Sequence, residues 1–384
     1  MLFTFYSFGY CLFLFLLIGN NRNKRYLYLL MSLPILVFVH SFIDTNTISD
    51  LPVYKEAFQD VSSLNVFNLN DISIFNFYYK FEYGFIILLK IVGILTSDFN
   101  VFLCICSCLL LGMYSMISLR YSPNVCISIL VLLVVFFNQS IFVLRQHLSI
   151  AVILLSIPAV IERKLLKFVV IMAIAFLLHK SSLIWGIIYI YYGVEKKWKL
   201  ILSLGVVTIV LSLIFSNLSF LNNQLSLGYA SYIDGDKTGR SNLVSFFVSL
   251  SMLIPYVAVV KEKIWTDGIY KLCTLSLFIL VVMSFIGINI GILSRFSLVF
   301  ETSLLFIIPI VYETLDNLVV RLSYLVFSVG VYAYITYFGS FSKNMLKAQL
   351  IIPDMVQLLW YIGLMIIVFI VLRKSYNNES TLRF

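Results

Sequence analysis

Residues 101–143 read VFLCICSCLLLGMYSMISLRYSPNVCISILVLLVVFFNQSIFV. This stretch holds two apolar runs, 101–119 and 125–143, separated by a short polar segment that includes Arg120 and Asn124. Each run comes close to the length of about 20 residues that an α-helix needs to cross the hydrocarbon core of a bilayer. The stretch therefore predicts two membrane-spanning helices joined by a short turn.

The rest of the chain repeats this pattern. Of its 384 residues, 61% are hydrophobic and 12% are charged, with a mean hydropathy of +1.01, whereas soluble domains are roughly 45–50% apolar and about 25% charged. This composition excludes a soluble globular protein. It predicts an all-α, polytopic integral membrane protein with about 12–13 transmembrane helices in a single transmembrane domain, 1–384. The candidate spans are 3–19, 26–43, 101–119, 125–143, 146–161, 166–179, 181–193, 200–216, 242–260, 269–287, 295–312, 321–340 and 354–372.

The formal net charge of +9 is explained by the orientation of the chain in the membrane. Basic clusters interrupt the apolar runs, and by the positive-inside rule they face the cytoplasm. The N-terminus is then expected outside and the C-terminus inside, and nucleic acid is not expected as a partner. The clusters comprise Arg22, Lys24 and Arg25; Arg163, Lys164 and Lys167; Lys196, Lys197 and Lys199; Lys261 and Lys263; Arg373 and Lys374.

Two outer segments are long enough to carry chemistry, namely loop 44–82 and loop 217–241, whereas the inner loops have only a few residues each. A further apolar run, 83–97, contains Lys90 at its centre. We expect this run to be re-entrant or to lie at the outer interface, buried against protein. Nucleotide-binding motifs and HExxH are missing from the sequence, and all six cysteines lie in apolar runs, where thiols behave as small hydrophobes. We therefore expect neither a metal nor a cofactor.

Ionisable groups at membrane depth are costly, about 2.5–3.5 kcal/mol each, and are functional candidates by default. In this chain, every such group except Glu301 falls at the outer level of the predicted topology. They are Arg145 and His147 in FVLRQHLSIA, His179 and Lys180 in AFLLHKSSLIWG, and Arg295 and Glu301 in GILSRFSLVFE.

These groups allow two interpretations. In one, the arginines are interfacial anchors, His179 and Glu301 make structural hydrogen bonds, and Lys180 is a solvated turn residue. In the other, the cations form a site for a phosphate or diphosphate, which a guanidinium binds with two parallel hydrogen bonds. In that second case, carboxylates and aromatic rings in the outer loops would bind sugar. The alternative for these loop residues is that they belong to ordinary solvated loops.

The order of motifs resembles the O-antigen polymerase (Wzy) family, in the branch related to the EpsG exopolysaccharide polymerases. The similarity covers about residues 50–301, and each motif alone is weak. The sequence has Tyr83 where the family pattern has proline, which affects the expected geometry of the turn at Glu82. The motifs are DLPVYKEAF at 50–58, FEYGFIILLKI at 81–91, RQHLSIA at 145–151, FLLHKSSLI at 176–184 and LSRFSLVFE at 293–301.

The resemblance implies a glycosyltransferase of the integral-membrane C type (GT-C) in the bacterial inner membrane. Such an enzyme joins oligosaccharide repeat units carried on undecaprenyl diphosphate at the periplasmic face, without a metal or a nucleotide sugar. Membrane lipid and a chain-length regulator protein are further expected partners.

The resemblance also suggests roles for individual residues. Arg145 and Arg295, with His147 and Lys180, are expected to bind the diphosphate, and His179 to bind the same phosphate or give it a proton. Glu82 is the first choice for the general base and Asp50 the second. The expected sugar-binding residues are Tyr54, Tyr232, Asp234 and Arg240.

Three other activities fit parts of the same pattern. An O-antigen ligase would share the multi-span plan and the Arg/His chemistry, and would transfer the glycan to lipid A core. A flippase for lipid-linked oligosaccharides would need two related halves, and no such repeat is visible in the sequence. A membrane acyltransferase would use His179 or His147 as its base.

Overall fold

The fold is described from a computed structural model. The structure describes residues 2–19, 24–48, 50–65, 68–194, 239–261, 263, 268–287, 293–338 and 349–378. These residues form helices and connecting turns and include no β-strand; an isolated β-bridge joins Ile43 to Leu350. The prediction of an all-α, polytopic membrane protein is confirmed.

The helices are numbered here in chain order. They are α1 Leu2–Ile18, α2 Arg25–Ser41, α3 Leu51–Asp60, α4 Leu69–Tyr79, α5 Tyr83–Leu95, α6 Phe99–Tyr121, α7 Val125–Val131, α8 Asn138–Phe142, α9 Leu144–Leu154, α10 Ile157–Ile161, α11 Leu165–Leu178, α12 Gly186–Tyr192, α13 Gly239–Val260, α14 Gly268–Ile286, α15 Leu293–Glu301, α16 Leu304–Thr314, α17 Leu318–Phe338 and α18 Met355–Asn378. A π-helical segment, Leu132–Phe137, joins α7 to α8, and 3₁₀ turns occur at Thr45–Thr47, Val61–Ser63 and Lys180–Trp185.

Within the described part of the chain, 7 helical stretches are long and apolar enough to cross a membrane. The predicted span 200–216 and most of the predicted outer loop 217–241 lie outside the described residues. The remaining predicted spans each coincide with a helix or with two or three consecutive helical segments. The 7 stretches are Phe99–Tyr121, Val125–Phe142, Leu243–Val260, Gly268–Ile286, Phe296–Thr314, Leu318–Ile335 and Met355–Asn377.

Interruptions explain why some predicted spans are short helices here. Between α15 and α16 the hydroxyls of Thr302 and Ser303 donate to the carbonyls of Val299 and Phe300, each at 2.7 Å. Such local hydroxyl bonds compete with regular helix hydrogen bonds. A further interruption separates α9 from α10 within the predicted span 146–161, and the 3₁₀ turn Lys180–Trp185 occupies the first part of the predicted span 181–193. Irregular backbone at membrane depth is tolerated where it is buried in protein.

The bundle has a buried centre and a lipid-facing periphery. In the spanning windows of α6 and of α7–α8, 72% and 94% of the residues are buried. The corresponding shares are only 22% for α17 and 17% for α18, which packs on α6. The apolar side chains that α17 and α18 turn outward suit contact with lipid.

Contacts between loops agree with the predicted division into an outer and an inner end. At the outer end, Asp44 N donates to Gln349 O at 2.7 Å, and the side chain of Gln357 donates to Asp98 at 2.6 Å. At the inner end, the amide of Asn124 donates to Glu313 at 2.7 Å. Each contact thus joins residues that the predicted topology places at the same end of the bundle, Gln357 being near the outer end of the predicted span 354–372.

Helix α5 accounts for the apolar run that carries Lys90. With 13 residues it is about 20 Å long, which is less than the roughly 30 Å of a bilayer core. The Lys90 ammonium donates to the carbonyls of Ser62 at 2.7 Å and Val61 at 3.2 Å, at the end of the segment that follows α3. A cation there stabilises the carboxyl end of a helix, so Lys90 binds protein as expected for this run.

Candidate active site

The backbone before α5 turns the side chain of Glu82 away from its own helix. Lys80 ends α4 in the left-handed conformation, with φ of 52°. Two residues later Glu82 is extended, with φ of −70° and ψ of 148°, and its carboxylate does not cap α5. The carboxylate is therefore available to partners elsewhere in the fold.

Those partners come from two distant segments. Arg145 Nη1 donates to Glu82 Oε2 at 2.5 Å, and His179 Nδ1 lies 2.8 Å from Oε1, within ion-pair distance but off the line of a straight hydrogen bond. The backbone N–H of Lys180 also points to Oε1, at 3.4 Å. The side chain of Glu82 is 10% exposed and its two partners are each 19% exposed. We call Glu82, Arg145 and His179 the ion cluster.

Three helix ends bring the ion cluster together. Glu82 precedes α5, Arg145 lies in the first turn of α9, and His179 follows the last residue of α11 with an extended backbone. Helix α11 packs against both α5 and α9. In addition, the Ser149 hydroxyl on α9 donates to Ala175 O on α11 at 2.8 Å. This packing fixes the positions of the three side chains.

Gly84 allows α5 to approach α11 closely. A Cβ at this position would lie 2.7 Å from the carbonyl oxygen of Leu177, nearer than van der Waals contact permits. Only glycine fits such a close backbone approach. Because Glu82 and His179 lie two residues from this contact, Gly84 is a positioning residue for the ion cluster, and one that we did not single out in the sequence.

Aromatic rings surround the guanidinium of Arg145. Its central carbon lies 4.4 Å from the ring centre of Phe81, 5.8 Å from that of Phe85 and 5.9 Å from that of Tyr54. A cation over aromatic faces is attracted by their quadrupoles, more strongly when water is excluded. Nη1 also donates to the carbonyl of Lys80 at 3.3 Å. Arg145 is thus held firmly, with Glu82 as its counter-ion.

The electrostatics of the ion cluster set the protonation of Glu82. Burial alone would raise the pKa of Glu82, but the nearby His179 and Arg145 outweigh this effect and lower the pKa to about 2. Glu82 is therefore ionised at neutral pH. A carboxylate with so low a pKa is a poor acceptor of protons from a sugar hydroxyl.

An open cleft of about 470 Å³ lies next to Glu82. One wall is α4 together with Lys80, the residue that follows it, and the other consists of Phe81, Glu82 and Lys180. Small-molecule binding sites usually have volumes of about 300–1,000 Å³, and the cleft falls within this range. The lining residues are Ser73, Asn76, Phe77, Lys80, Phe81, Glu82 and Lys180.

Two predicted residues of loop 44–82 do not line the cleft. Asp50 precedes α3 and is not among the residues that line the cleft. Tyr54 is 4% exposed and packs against Phe81 and Phe85, with ring centres 5.5 and 5.7 Å apart. Burial raises the pKa of Tyr54, while the nearby Arg145 opposes the rise. The buried ring of Tyr54 therefore packs near the guanidinium of Arg145. It offers no open face to a sugar, which differs from its predicted role in sugar binding.

The structure also separates His147 from Arg145. His147 is 0% exposed; its Nδ1 lies 3.5 Å from the Tyr114 hydroxyl, and its ring contacts Phe136 edge-on at 6.2 Å. It therefore lies in the core and does not face the cleft, contrary to its predicted grouping with the diphosphate-binding residues. His40, which the sequence reading passed over, is also buried, with its ring nitrogens 2.7 Å from Ser107 Oγ and 2.9 Å from Ser140 Oγ.

The remaining predicted residues lie at the edge of the description or beyond it. Arg295 is in the first turn of α15 and Arg240 is at the start of α13, but their side chains lie outside the described residues. Tyr232 and Asp234 lie outside them altogether. Helix α15 packs against the 3₁₀ turn Lys180–Trp185, so the backbone of Arg295 belongs to a helix next to the segment that follows His179. Glu301, at the end of α15, interacts electrostatically with Tyr332.

A model of the EpsG family matches residues 25–355, which include the whole ion cluster and the cleft. The chain belongs to the EpsG family. No curated protein and no solved structure matches it. Membership in the EpsG family confirms the resemblance found in the motifs and supports a membrane glycosyltransferase-like polymerase in general. In this EpsG protein, Glu82, Arg145, His179 and Lys180 come together from three of the five motifs.

Proposed function

We propose that the protein is a polysaccharide polymerase that joins repeat units carried on undecaprenyl diphosphate at the periplasmic face of the bacterial inner membrane. The observation that carries this proposal is the ion cluster beside an open cleft, at the predicted outer end of an EpsG-family bundle. The growing chain is the donor, and the new lipid-linked unit is the acceptor.

The reaction is a substitution at the anomeric carbon of the donor sugar. An acceptor hydroxyl forms the new carbon–oxygen bond as the bond to the diphosphate oxygen breaks, and the diphosphate leaves with the electron pair. The hydroxyl proton must go to a base. The protein therefore has to supply a base on one side and cations for the leaving group on the other.

His179 fits the base better than Glu82 does. The low pKa of Glu82 makes it a weak base, and both of its oxygens already have partners. An ionised carboxylate next to Nδ1 holds the imidazole in position and favours the hydrogen on Nδ1, which leaves Nε2 free to accept a proton. We therefore assign proton transfer to His179 and the positioning of its ring to Glu82.

The cations divide into two groups. Arg145 is paired with Glu82, so we assign it to holding the ion cluster in place. Lys180 lines the cleft and is a better candidate for contact with the leaving diphosphate, together with Arg295 from the neighbouring helix α15. Cations aimed at developing charge are often the largest contribution to such a rate.

Reconstitution tests the proposal. The purified protein, placed in liposomes with undecaprenyl-diphosphate-linked repeat units as the sole sugar source and with EDTA, should give a ladder of longer products and release undecaprenyl diphosphate. Glu82→Gln should abolish the ladder, whereas the control Glu56→Gln, on the exposed surface of α3, should not. Absence of a ladder with the wild-type protein would overturn the proposal. Transfer of preformed glycan to added lipid A core without chain growth would identify a ligase instead.

A further inference from the structure

Helix α4 presents an unassigned set of side chains to the cleft, and we propose that this helix is the wall that binds the donor sugar. In this arrangement the sugar lies against Phe77 and Asn76, and its diphosphate lies between the ammonium groups of Lys80 and Lys180. The inference rests on the proposed function and adds the sugar–diphosphate subsite to it.

The spacing of the residues supports a single binding face. Ser73, Asn76, Phe77 and Lys80 follow one another at intervals of three, one and three residues, and all line the cleft. Residues with this spacing share one side of a helix.

The other side of α4 is attached to the protein. Phe75 is buried. Tyr79, whose ring centre lies 4.7 Å from that of Phe75 on the same helix, donates its hydroxyl to Asp60 at the end of α3 at 2.5 Å. These contacts fix which face of α4 points into the cleft.

The chemistry of this face suits a saccharide. Phe77 is 78% exposed, although burying an aromatic ring of this size would be favourable. Its flat face can cover the C–H side of a sugar ring. The amide of Asn76 has no partner among the described residues and can both donate to and accept from sugar hydroxyls. Ser73 donates to Asn70 O at 2.8 Å, which leaves its oxygen free to accept.

The charges indicate where the phosphate lies. Glu82 is already neutralised within the ion cluster, so its charge does not cancel those of the two lysines. Neither the Lys80 nor the Lys180 ammonium pairs with an acidic group in the part of the chain that the structure describes. Two uncompensated cations facing one cleft attract a dianionic group.

Together these positions orient the donor. With the sugar on α4 and the diphosphate between the lysines, the bond between them lies beside Glu82, which lines the cleft and whose carboxylate is 2.8 Å from His179 Nδ1. That bond is the one that the proposed reaction breaks. The cleft is then the donor subsite, and α4 determines which sugar next to the diphosphate is accepted.

Kinetics and binding test this inference together. Phe77→Ala should raise KM for the lipid-linked repeat unit about fivefold to tenfold, with kcat within about twofold, while Phe77→Tyr should stay near wild type. The matched control is Ile74→Ala, which alters another exposed apolar side chain of α4 that does not line the cleft. Lys80→Ala and Lys180→Ala should weaken inhibition by inorganic diphosphate, and Lys55→Ala should not.

A binding readout separates failure of this inference from failure of the proposed function. Saturation-transfer NMR with the acid-released repeat-unit oligosaccharide should show contact in the wild-type protein and lose it in Phe77→Ala. If the wild-type protein polymerises but Phe77→Ala keeps its KM and its saturation transfer, the subsite is wrong. If the wild-type protein does not polymerise, the proposed function fails, and the NMR and diphosphate titrations still decide whether a sugar–phosphate subsite exists.

Discussion

Gly84 lies directly against the carbonyl of Leu177, where a methyl group would come within 2.7 Å of the oxygen. This contact joins the start of α5 to the end of α11. Glu82 and His179 extend from the two sides of it, so their separation depends on the missing side chain. The geometry of the ion cluster is therefore set partly by a residue that takes no part in its chemistry.

Gly84→Ala should lower polymerisation about tenfold or more, since about one ångström of misplacement can cost as much as a hundredfold in rate. Gly93→Ala is the control on the same helix, because its added Cβ would meet Val61 at an ordinary 3.7 Å. The measurement is product formation in liposomes, with thermal unfolding monitored in parallel. Equal activity of the two variants would contradict the positioning role.

Arg145→Lys should also lower polymerisation by about tenfold or more, because a lysine cannot reproduce the planar guanidinium fork. The lysine would have to reach Glu82 and the Lys80 carbonyl while lying over Phe81. Arg120→Lys, at the predicted inner end, serves as the control and should polymerise normally. Near-normal long-chain product from Arg145→Lys would count against the assignment.

Glu82 should make stability depend on pH in the acid range. Because its pKa falls from an ordinary 4.5 to about 2 in the folded protein, its stabilising effect is complete above about pH 4.5 and is lost as the pH falls towards 2. The difference in unfolding temperature between the wild type and Glu82→Gln should shrink as the pH falls from about 4.5 towards 2. Intrinsic tryptophan fluorescence, to which the buried Trp185 contributes, can follow unfolding. A difference that does not change with pH would contradict the ion pairing.

The two histidines of neighbouring motifs should respond differently to replacement. His179→Gln should lower kcat by roughly 10²–10⁴, as expected for a proton-transfer group, and should lower the unfolding temperature less than His147→Ala does. His147→Ala should instead lower the unfolding temperature by roughly 2–4 °C or more, because it leaves a cavity beside Tyr114 and Phe136. Loss of activity in His147→Ala at unchanged stability would restore its predicted role in diphosphate binding.

Much of the site could be predicted from residue types and topology. Arg145, His179, Lys180 and Glu82 were all expected near the outer surface, and the structure brings them together. Which group each one faces could not be predicted, because partner choice depends on the packing of α5, α9 and α11. The carboxylate of Glu82 neutralises the charge of Arg145. The motifs alone suggested that the Arg145 guanidinium was free to bind a phosphate.

Helix geometry explains the positions of His147 and Tyr54. His147 lies two residues after Arg145 on α9, and at 3.6 residues per turn such neighbours point to nearly opposite sides. Tyr54 shares a helical face with Leu51 and Phe58, and all three are buried. Apolar spacing of this kind predicts a core position, so Tyr54 could have been excluded from the sugar site.

Other features could not be foreseen from composition. The interruption between α15 and α16 carries local hydroxyl bonds from Thr302 and Ser303, whereas hydropathy indicates only a continuous apolar run. The sequence predicts an outer loop for 44–82 and therefore does not indicate the wall of the cleft. This segment folds into two helices, and the spacing of Ser73, Asn76, Phe77 and Lys80 becomes meaningful only once α4 is known.

The two walls of the cleft differ in how freely they can vary. Residues of the ion cluster are tied to one another across three helix ends, so a change in one of them disturbs the others. The exposed side chains of α4 have no such ties. Glycan preference could therefore diverge between strains by substitutions at 73, 76 and 77 alone, and laboratory evolution towards new polymers should begin with a library confined to those three codons.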